Sequence, residues 1–105
     1  MSHATMAAAV RRAYRDAATR GGLTDADLLG RFAATRDEAA FEVLVWRHGP
    51  MVLGTCTRVL GNLHDAEDAF QATFITLASR AGSVRPVSLA AWLYQVAYRA
   101  ALRVR

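Results

Sequence analysis

Apolar residues recur at the three- and four-residue spacing of an amphipathic helix along most of the chain, and this pattern limits the fold more than any other feature. The 105 residues include only two prolines, and no stretch alternates between apolar and polar residues as a strand would. A chain of this length forms one domain with a modest core. The sequence therefore predicts an all-α fold: a compact bundle of about four core helices, to which an N-terminal helix can be added.

Capping residues and glycines mark the predicted helix ends. Thr24 with Asp27 indicates a variant of the capping box, and Asp37 opens a longer helical stretch that Gly61 closes. Within that stretch Pro50 predicts a kink or a break, because proline removes a backbone donor. Asp65 is predicted to cap the next helix and Ser88 the last one, with a loop at 80–87 between them. The sequence is divided into an N-terminal extension, 1–22, helical or flexible, and a domain, 23–105.

Charge is distributed unevenly along the chain. Residues 1–68 hold eight arginines and nine acids, whereas residues 69–105 hold five arginines and no acid. The sum is the net charge of +4. A chain with an acidic middle and a basic end favours two different partners, one of them polyanionic, although a solvated surface would show the same composition.

The sequence shows no set of residues that would carry catalysis or hold a cofactor. It contains neither a phosphate-binding glycine loop nor an HExxH metal motif. Cys56, His48 and His64 match no known spacing of metal ligands, and structural zinc usually takes four. We expect His48 to be a helix-end residue beside Gly49-Pro50, and Cys56 to be a core residue.

The stretch 65–74 has two interpretations. Acids at the start of a helix cap it and favour the positive end of its dipole, which explains the carboxylates of the stretch. This does not explain Gln71. Asp68 and Gln71 are three residues apart, so they share one face, predicted to point away from Phe70 and Phe74. Such an acidic and amide face suits a basic partner helix.

Three segments of the sequence resemble the extracytoplasmic-function sigma factors in the same order and spacing. Asp65-Ala66-Glu67-Asp68…Gln71…Thr73-Phe74 is similar to their region 2.2, and Phe41-Glu42…Leu44-Val45…Arg47-His48-Gly49-Pro50-Met51-Val52 to their region 2.1. Trp92-Leu93-Tyr94…Val96-Ala97 resembles the start of the helix that covers regions 2.3 and 2.4. Gln71-Ala72-Thr73-Phe74 and Ala97-Tyr98-Arg99 further resemble the planctomycete-type branch of this family.

The resemblance implies a partner for the acidic stretch. In the family, region 2.2 binds the clamp helices of the RNA polymerase β′ subunit. Carried over by position, Asp68 and Gln71 would be the main contacts, with Glu67 in support. Ala72 stands where the family often has Glu, so one polar contact of the family is missing here. An anti-sigma factor would be a further partner.

The resemblance also implies contact with the single-stranded −10 element of a promoter. Single-strand binding requires cations for phosphates and flat side chains for stacking. The residues expected to serve it in the loop and the last helix are Arg80, Ser83, Val84, Arg85, Tyr98, Arg99 and Arg103. Tyr94 is a further stacking candidate, and Trp92 is expected to pack in the core. The family commonly has Arg-Asn at 98–99 and Asp near 103, so its promoter sequences do not transfer to this chain.

The resemblance thus predicts a domain for transcription initiation that performs no chemistry itself. The sequence shows no signal-peptide pattern and no apolar run long enough to cross a membrane, so we expect the domain to act in the cytoplasm, without a membrane. Because the last helix shows no stop signal before Arg105, we expect the chain to be a fragment of a longer protein. The resemblance implies that the gene would continue into a linker and a helix-turn-helix domain for the −35 element. The alternative is a helical protein-interaction module with no role in DNA binding. A salt-dependent, single-strand-selective affinity for DNA would distinguish the two.

Overall fold

A computed structural model describes residues 3–19, 22–85 and 88–105. Within these ranges the chain forms only helices, which confirms the predicted all-α bundle. The helices are α1, His3–Thr19; α2, Asp25–Thr35; α3, Glu38–Leu60; α4, Leu63–Arg80; and α5, Leu89–Val104. Helices α3, α4 and α5 make the most extensive contacts, each with the other two, while α1 and α2 both pack on α3.

The predicted caps of α2 and α3 are present. The Thr24 hydroxyl accepts from the backbone N–H of Asp27, and the Asp27 carboxylate accepts from that of Thr24. Both hydrogen bonds lower the pKa of Asp27 below its usual value, and the bond from the Thr24 backbone has the larger effect. The Asp37 carboxylate accepts from the backbone of Ala39 and Ala40, and Gly61 ends α3 with a φ of 75°, which glycine adopts without strain.

The predicted break at Gly49-Pro50 is wrong, because α3 continues through Pro50. The helix is continuous from Glu38 to Leu60. Proline removes one backbone hydrogen bond from a helix. Residues on both sides of it, Leu44 and Val52 among them, are fully buried in one core. Their burial offsets the missing hydrogen bond.

The start of α4 differs from the prediction by one turn. Its N-cap is Asn62, whose side-chain oxygen accepts from the backbone N–H of Asp65 at 2.9 Å. The Asn62 amide in turn donates to the Asp65 carboxylate at 3.0 Å. Asp65 is therefore the third helical residue of a reciprocal capping pair rather than the cap. Ser88 does occupy the N-cap position of α5, but its side chain makes no capping hydrogen bond.

The core lies among α2, α3, α4 and α5. Its fully buried large side chains are Leu28, Leu29, Leu44, Leu77, Leu89, Leu93, Val43, Val52, Thr73 and Cys56. Cys56 is a core residue, as expected; burial raises the pKa of its thiol, which donates to the carbonyl of Ala97 at 3.9 Å. Trp92 is partly buried against the core, also as expected.

His48 is not a helix-end residue. It lies inside α3, is buried, and its Nε2 atom is 2.9 Å from Oδ2 of Asp25 at the start of α2. Arg47 donates to the other carboxylate oxygen of Asp25 at 2.7 Å and to the carbonyl of Leu23 at 2.9 Å. One carboxylate thus joins α2 to two consecutive residues of α3.

The N-terminal helix α1 is held to the bundle by polar contacts. The Tyr14 hydroxyl donates to the Asp37 carboxylate at 2.8 Å and accepts from Arg31 at 3.0 Å. Arg11 forms a salt bridge of 2.9 Å with Glu42 of α3. Across the described ranges, no helix is both long and apolar enough to span a bilayer.

Candidate functional site

The exposed face of α4 carries the predicted acidic and amide residues. Glu67, Asp68 and Gln71 are all exposed, whereas Ala69 and Phe74 of the same helix are buried. The face therefore points away from the core, as the sequence predicted. Within the described part of the chain, neither the Asp68 carboxylate nor the Gln71 amide forms a hydrogen bond or an ion pair with another residue. Both groups are available to a partner.

The N-terminal end of α4 also brings a histidine near two acids. His64, Asp65 and Asp68 offer ligand atoms that lie within 4.8 Å of one another, at exposed or half-buried positions. His48 and Cys56 lie elsewhere, in the contacts described above. The helix dipole already explains exposed acids at the start of a helix, so this group by itself does not indicate a metal site.

A groove between α4 and α5 brings together three of the predicted DNA-binding residues. Arg80 of α4 and Arg99 and Arg103 of α5 line a depression of about 270 Å³. The other lining residues are Ala72, Thr76, Val96, Ala100 and Val104. Among the described residues, no carboxylate lines this groove. A groove that holds three guanidinium groups suits a polyanion, because arginine can bind phosphate oxygens through two parallel hydrogen bonds.

A second depression adjoins this groove through Arg99. It is lined by Tyr94, Gln95, Tyr98 and Arg99, with a volume of about 290 Å³. The two tyrosines are about half exposed, at 48% and 45% of their surface. Exposed aromatic rings beside arginines are the combination that nucleic-acid bases stack on.

The predicted loop divides into exposed and buried residues. Ser83 and Arg85 are exposed, whereas Val84 between them is 9% exposed and belongs to the core cluster. The Ser83 hydroxyl donates to the carbonyl of Arg80 at 3.0 Å, and the backbone N–H of Ser83 donates to the same carbonyl. Val84 thus anchors the loop to the bundle. The rest of the predicted loop, Pro86 and Val87, lies outside the described residues.

The end of α4 has a support that the sequence did not indicate. Arg36, which ends α2 with a φ of 56°, donates to the carbonyl of Ala78 at 2.9 Å, and its guanidinium lies 4.2 Å from the centre of the Phe32 ring. Ala78 is in the last turn of α4, where carbonyls lack helical partners. This contact ties α2 to the point where the loop leaves α4.

The structure places the predicted residues in three groups. Glu67, Asp68 and Gln71 share the exposed side of α4; Arg80, Arg99 and Arg103 share the groove; and Tyr98 lies in the adjoining depression. Arg85 lines neither depression. Thr76 and Gln95 were missed by the sequence reasoning. Helical spacing could have indicated both residues, because Thr76 lies four residues before Arg80 and Gln95 lies four residues before Arg99.

Comparison with known proteins defines the class of the chain. The family described as Sigma-70 region 2 matches residues 44–105, which is more than half of the chain. The chain belongs to this family. The matched range includes α4, α5 and both surfaces described above.

One curated relative of the chain is an ECF sigma factor. The ECF RNA polymerase sigma factor SigE of Mycolicibacterium smegmatis is 37% identical over 68 residues, which cover 62% of this chain and 26% of that protein. The chain therefore spans about a quarter of the length of this relative. No solved structure matches the chain. The resemblance to extracytoplasmic-function sigma factors is thus confirmed, and the assignment to the planctomycete-type branch stays a prediction.

Proposed function

We propose that this domain takes part in transcription initiation by docking on the β′ clamp helices of RNA polymerase and by binding the −10 element of a promoter as single-stranded DNA. In this proposal residues 23–105 form the functional domain and residues 1–22 an extension of it. The site of action is the cytoplasm, where polymerase and promoter meet. An anti-sigma factor is a further proposed partner.

One observation carries the proposal. A single helix, α4, presents exposed Asp68 and Gln71 in its first half and contributes Arg80 to an arginine-lined groove at its other end. Twelve residues separate Asp68 from Arg80, or about 18 Å along the axis. Acidic and basic surfaces at this separation can bind a basic protein helix and a nucleic acid at the same time.

Docking is supported by the chemistry of the exposed side of α4. Asp68 can pair with a cation of the partner, and Gln71 can both donate and accept hydrogen bonds. Neither has to break an internal hydrogen bond to do so. Ala72, in the place where the family often has Glu, lines the groove and provides no carboxylate. Docking in this chain therefore depends on fewer polar contacts.

Strand opening follows from differential binding. Extruding a base costs a few kcal/mol in lost stacking and pairing. Stacking on an exposed aromatic side chain contributes about 1–3 kcal/mol per base, and Tyr94 and Tyr98 provide such rings. Arg99 and Arg103 would hold the phosphates of the same strand. The domain would then bind unpaired bases better than paired ones, which shifts the duplex towards the open form.

The docking half is tested by calorimetry with a β′ clamp-helix fragment. Changing Asp68 and Gln71 together to Ala should weaken binding by tenfold or more, because hydrogen bonds to charged groups contribute about 1.5–3 kcal/mol each. Glu38→Ala, which removes an exposed acid from α3, is the matched control and should bind like the parent. Unchanged affinity in the double variant would overturn the docking assignment and favour the interaction module.

A further inference from the structure

The most exposed large apolar side chain on α4 lies beside the proposed docking residues. Ile75 is 67% exposed. It follows Gln71 by four residues and Asp68 by seven, so all three lie on the same side of the helix. Burial within the domain cannot account for an isoleucine here, and isoleucine is a weaker helix former than leucine or alanine.

The surroundings of Ile75 differ from those of an ordinary solvated helix face. No charged residue occurs between Ala69 and Ser79. The exposed neighbours of Ile75 one turn away are Gln71, Ala72 and Ser79, which are small or uncharged. The exposed side of α4 therefore changes from acidic at Glu67 and Asp68 to uncharged and partly apolar at Ile75. A binding surface with an apolar centre and a charged rim has this arrangement.

We propose that Ile75 is the apolar anchor of the docking surface and that it sets which partner helix α4 accepts. This inference rests on the proposed docking function and extends it to a residue that no motif indicated. The partner is a basic amphipathic helix, the β′ clamp helix, which offers a cation to Asp68 and an apolar side chain to Ile75. These two contacts lie about 10 Å apart along α4, which equals about two turns of a helix on the partner.

The contacts at Asp68 and at Ile75 contribute to binding in different ways, and they differ in their response to salt. The contact at Asp68 steers the encounter and weakens with salt. The contact at Ile75 removes apolar surface from water, which salt does not screen. In a chain with Ala at position 72, such an anchor compensates for the carboxylate that the family often places there.

The experiment measures binding of a β′ clamp-helix fragment by calorimetry for three variants. Ile75→Ala should weaken binding about tenfold, equally at low and high salt, and should make the heat-capacity change of binding less negative. Asp68→Ala should weaken binding strongly at low salt and less at high salt. The matched control is Leu63→Ala, which removes a side chain that is 57% exposed on the same helix. Leu63 points about 120° away around the axis and should have no effect.

The outcomes separate the two proposals. If Asp68→Ala weakens binding while Ile75→Ala and Leu63→Ala both bind like the parent, the anchor is overturned and the docking function stands. If Leu63→Ala weakens binding as much as Ile75→Ala, the apolar contact is not specific to this face and the anchor is also overturned. If the parent does not bind the fragment, or no variant changes its affinity, the docking function fails and the anchor with it.

Discussion

The Nε2 atom of His48 lies 2.9 Å from Oδ2 of Asp25, so a buried residue in the middle of α3 is bonded to the first residue of α2. Arg47 binds the other oxygen of the same carboxylate. Both contacts span more than twenty residues of sequence. They fix how α2 packs on α3, and thereby the position of Arg36, which supports the end of α4.

We therefore expect Asp25→Ala to destabilise the domain. It leaves Arg47 and the buried His48 without their shared partner, at a cost of about 1.5–3 kcal/mol. For a domain of this size each kcal/mol lowers the thermal midpoint by about 4–8 °C. Asp16→Ala, which removes an exposed acid of α1, is the control in the same thermal melt. Equal midpoints for the two variants would show that the carboxylate has no structural role.

Phe74 tests the orientation of α4. It is 5% exposed, and its ring lies 5.0 Å from that of Phe70 and 6.3 Å from that of Phe41. Phe74→Ala should cost about 3–5 kcal/mol, enough to unfold much of so small a domain. Its neighbour provides the control, since Ile75→Ala removes an exposed side chain and should leave the midpoint almost unchanged. Similar melts for both variants would contradict the assignment of the inner and outer faces.

The loop after α4 tests whether neighbouring residues have separate roles. Val84 is buried, so Val84→Ala should lower the free energy of unfolding by about 1–2 kcal/mol and should alter base preference by moving the loop. Ser83 is exposed, so Ser83→Ala should alter base preference and leave the fold intact. The measurements are thermal melts and fluorescence titrations of single strands that differ at one base. Base preferences that are equal to the parent's in both variants would remove the loop from the proposed DNA-binding surface.

Local chemistry made part of the fold predictable. The caps at Thr24 and Asp37 and the glycine at 61 depend on neighbouring residues only, and the sequence indicated all three. Asn62 and Asp65 show why the predicted start of α4 is one turn late: both are residue types that favour N-caps, but in the structure the capping bond runs from the backbone N–H of Asp65 to the side chain of Asn62. Local rules could not decide between them.

The features that the sequence did not predict depend on long-range packing. The continuity of α3 through Pro50 depends on a core that other helices complete, and the bond from His48 to Asp25 joins residues that no local pattern connects. The exposure of Asp68 and Gln71 followed from helical spacing alone. The groove did not, because Arg80 and Arg99 meet only when α4 packs on α5. Sequence reasoning therefore found the arginines one by one but not their common site.

The arginine-lined groove is the feature on which the proposed DNA binding depends. Changing Arg99 and Arg103 together to Ala removes two of its three guanidinium groups. The matched control changes Arg12 and Arg58 to Ala, which removes the same charge from exposed positions on α1 and α3. Comparing the two double variants separates a local contact with phosphate from the general effect of net charge.

The most direct test of the account is a fluorescence titration of a labelled single strand and of its duplex, at two salt concentrations, with the parent and both double variants. We predict that the parent binds the single strand more tightly than the duplex. Arg99→Ala/Arg103→Ala should weaken that binding and reduce the salt slope by about 0.7 for each lost phosphate contact, about 1.4 in all, while the control keeps most of the parent's slope. If the groove variant instead binds like the parent at both salt concentrations, the arginines form a solvated face, and a helical protein-interaction module without DNA binding replaces the proposed function.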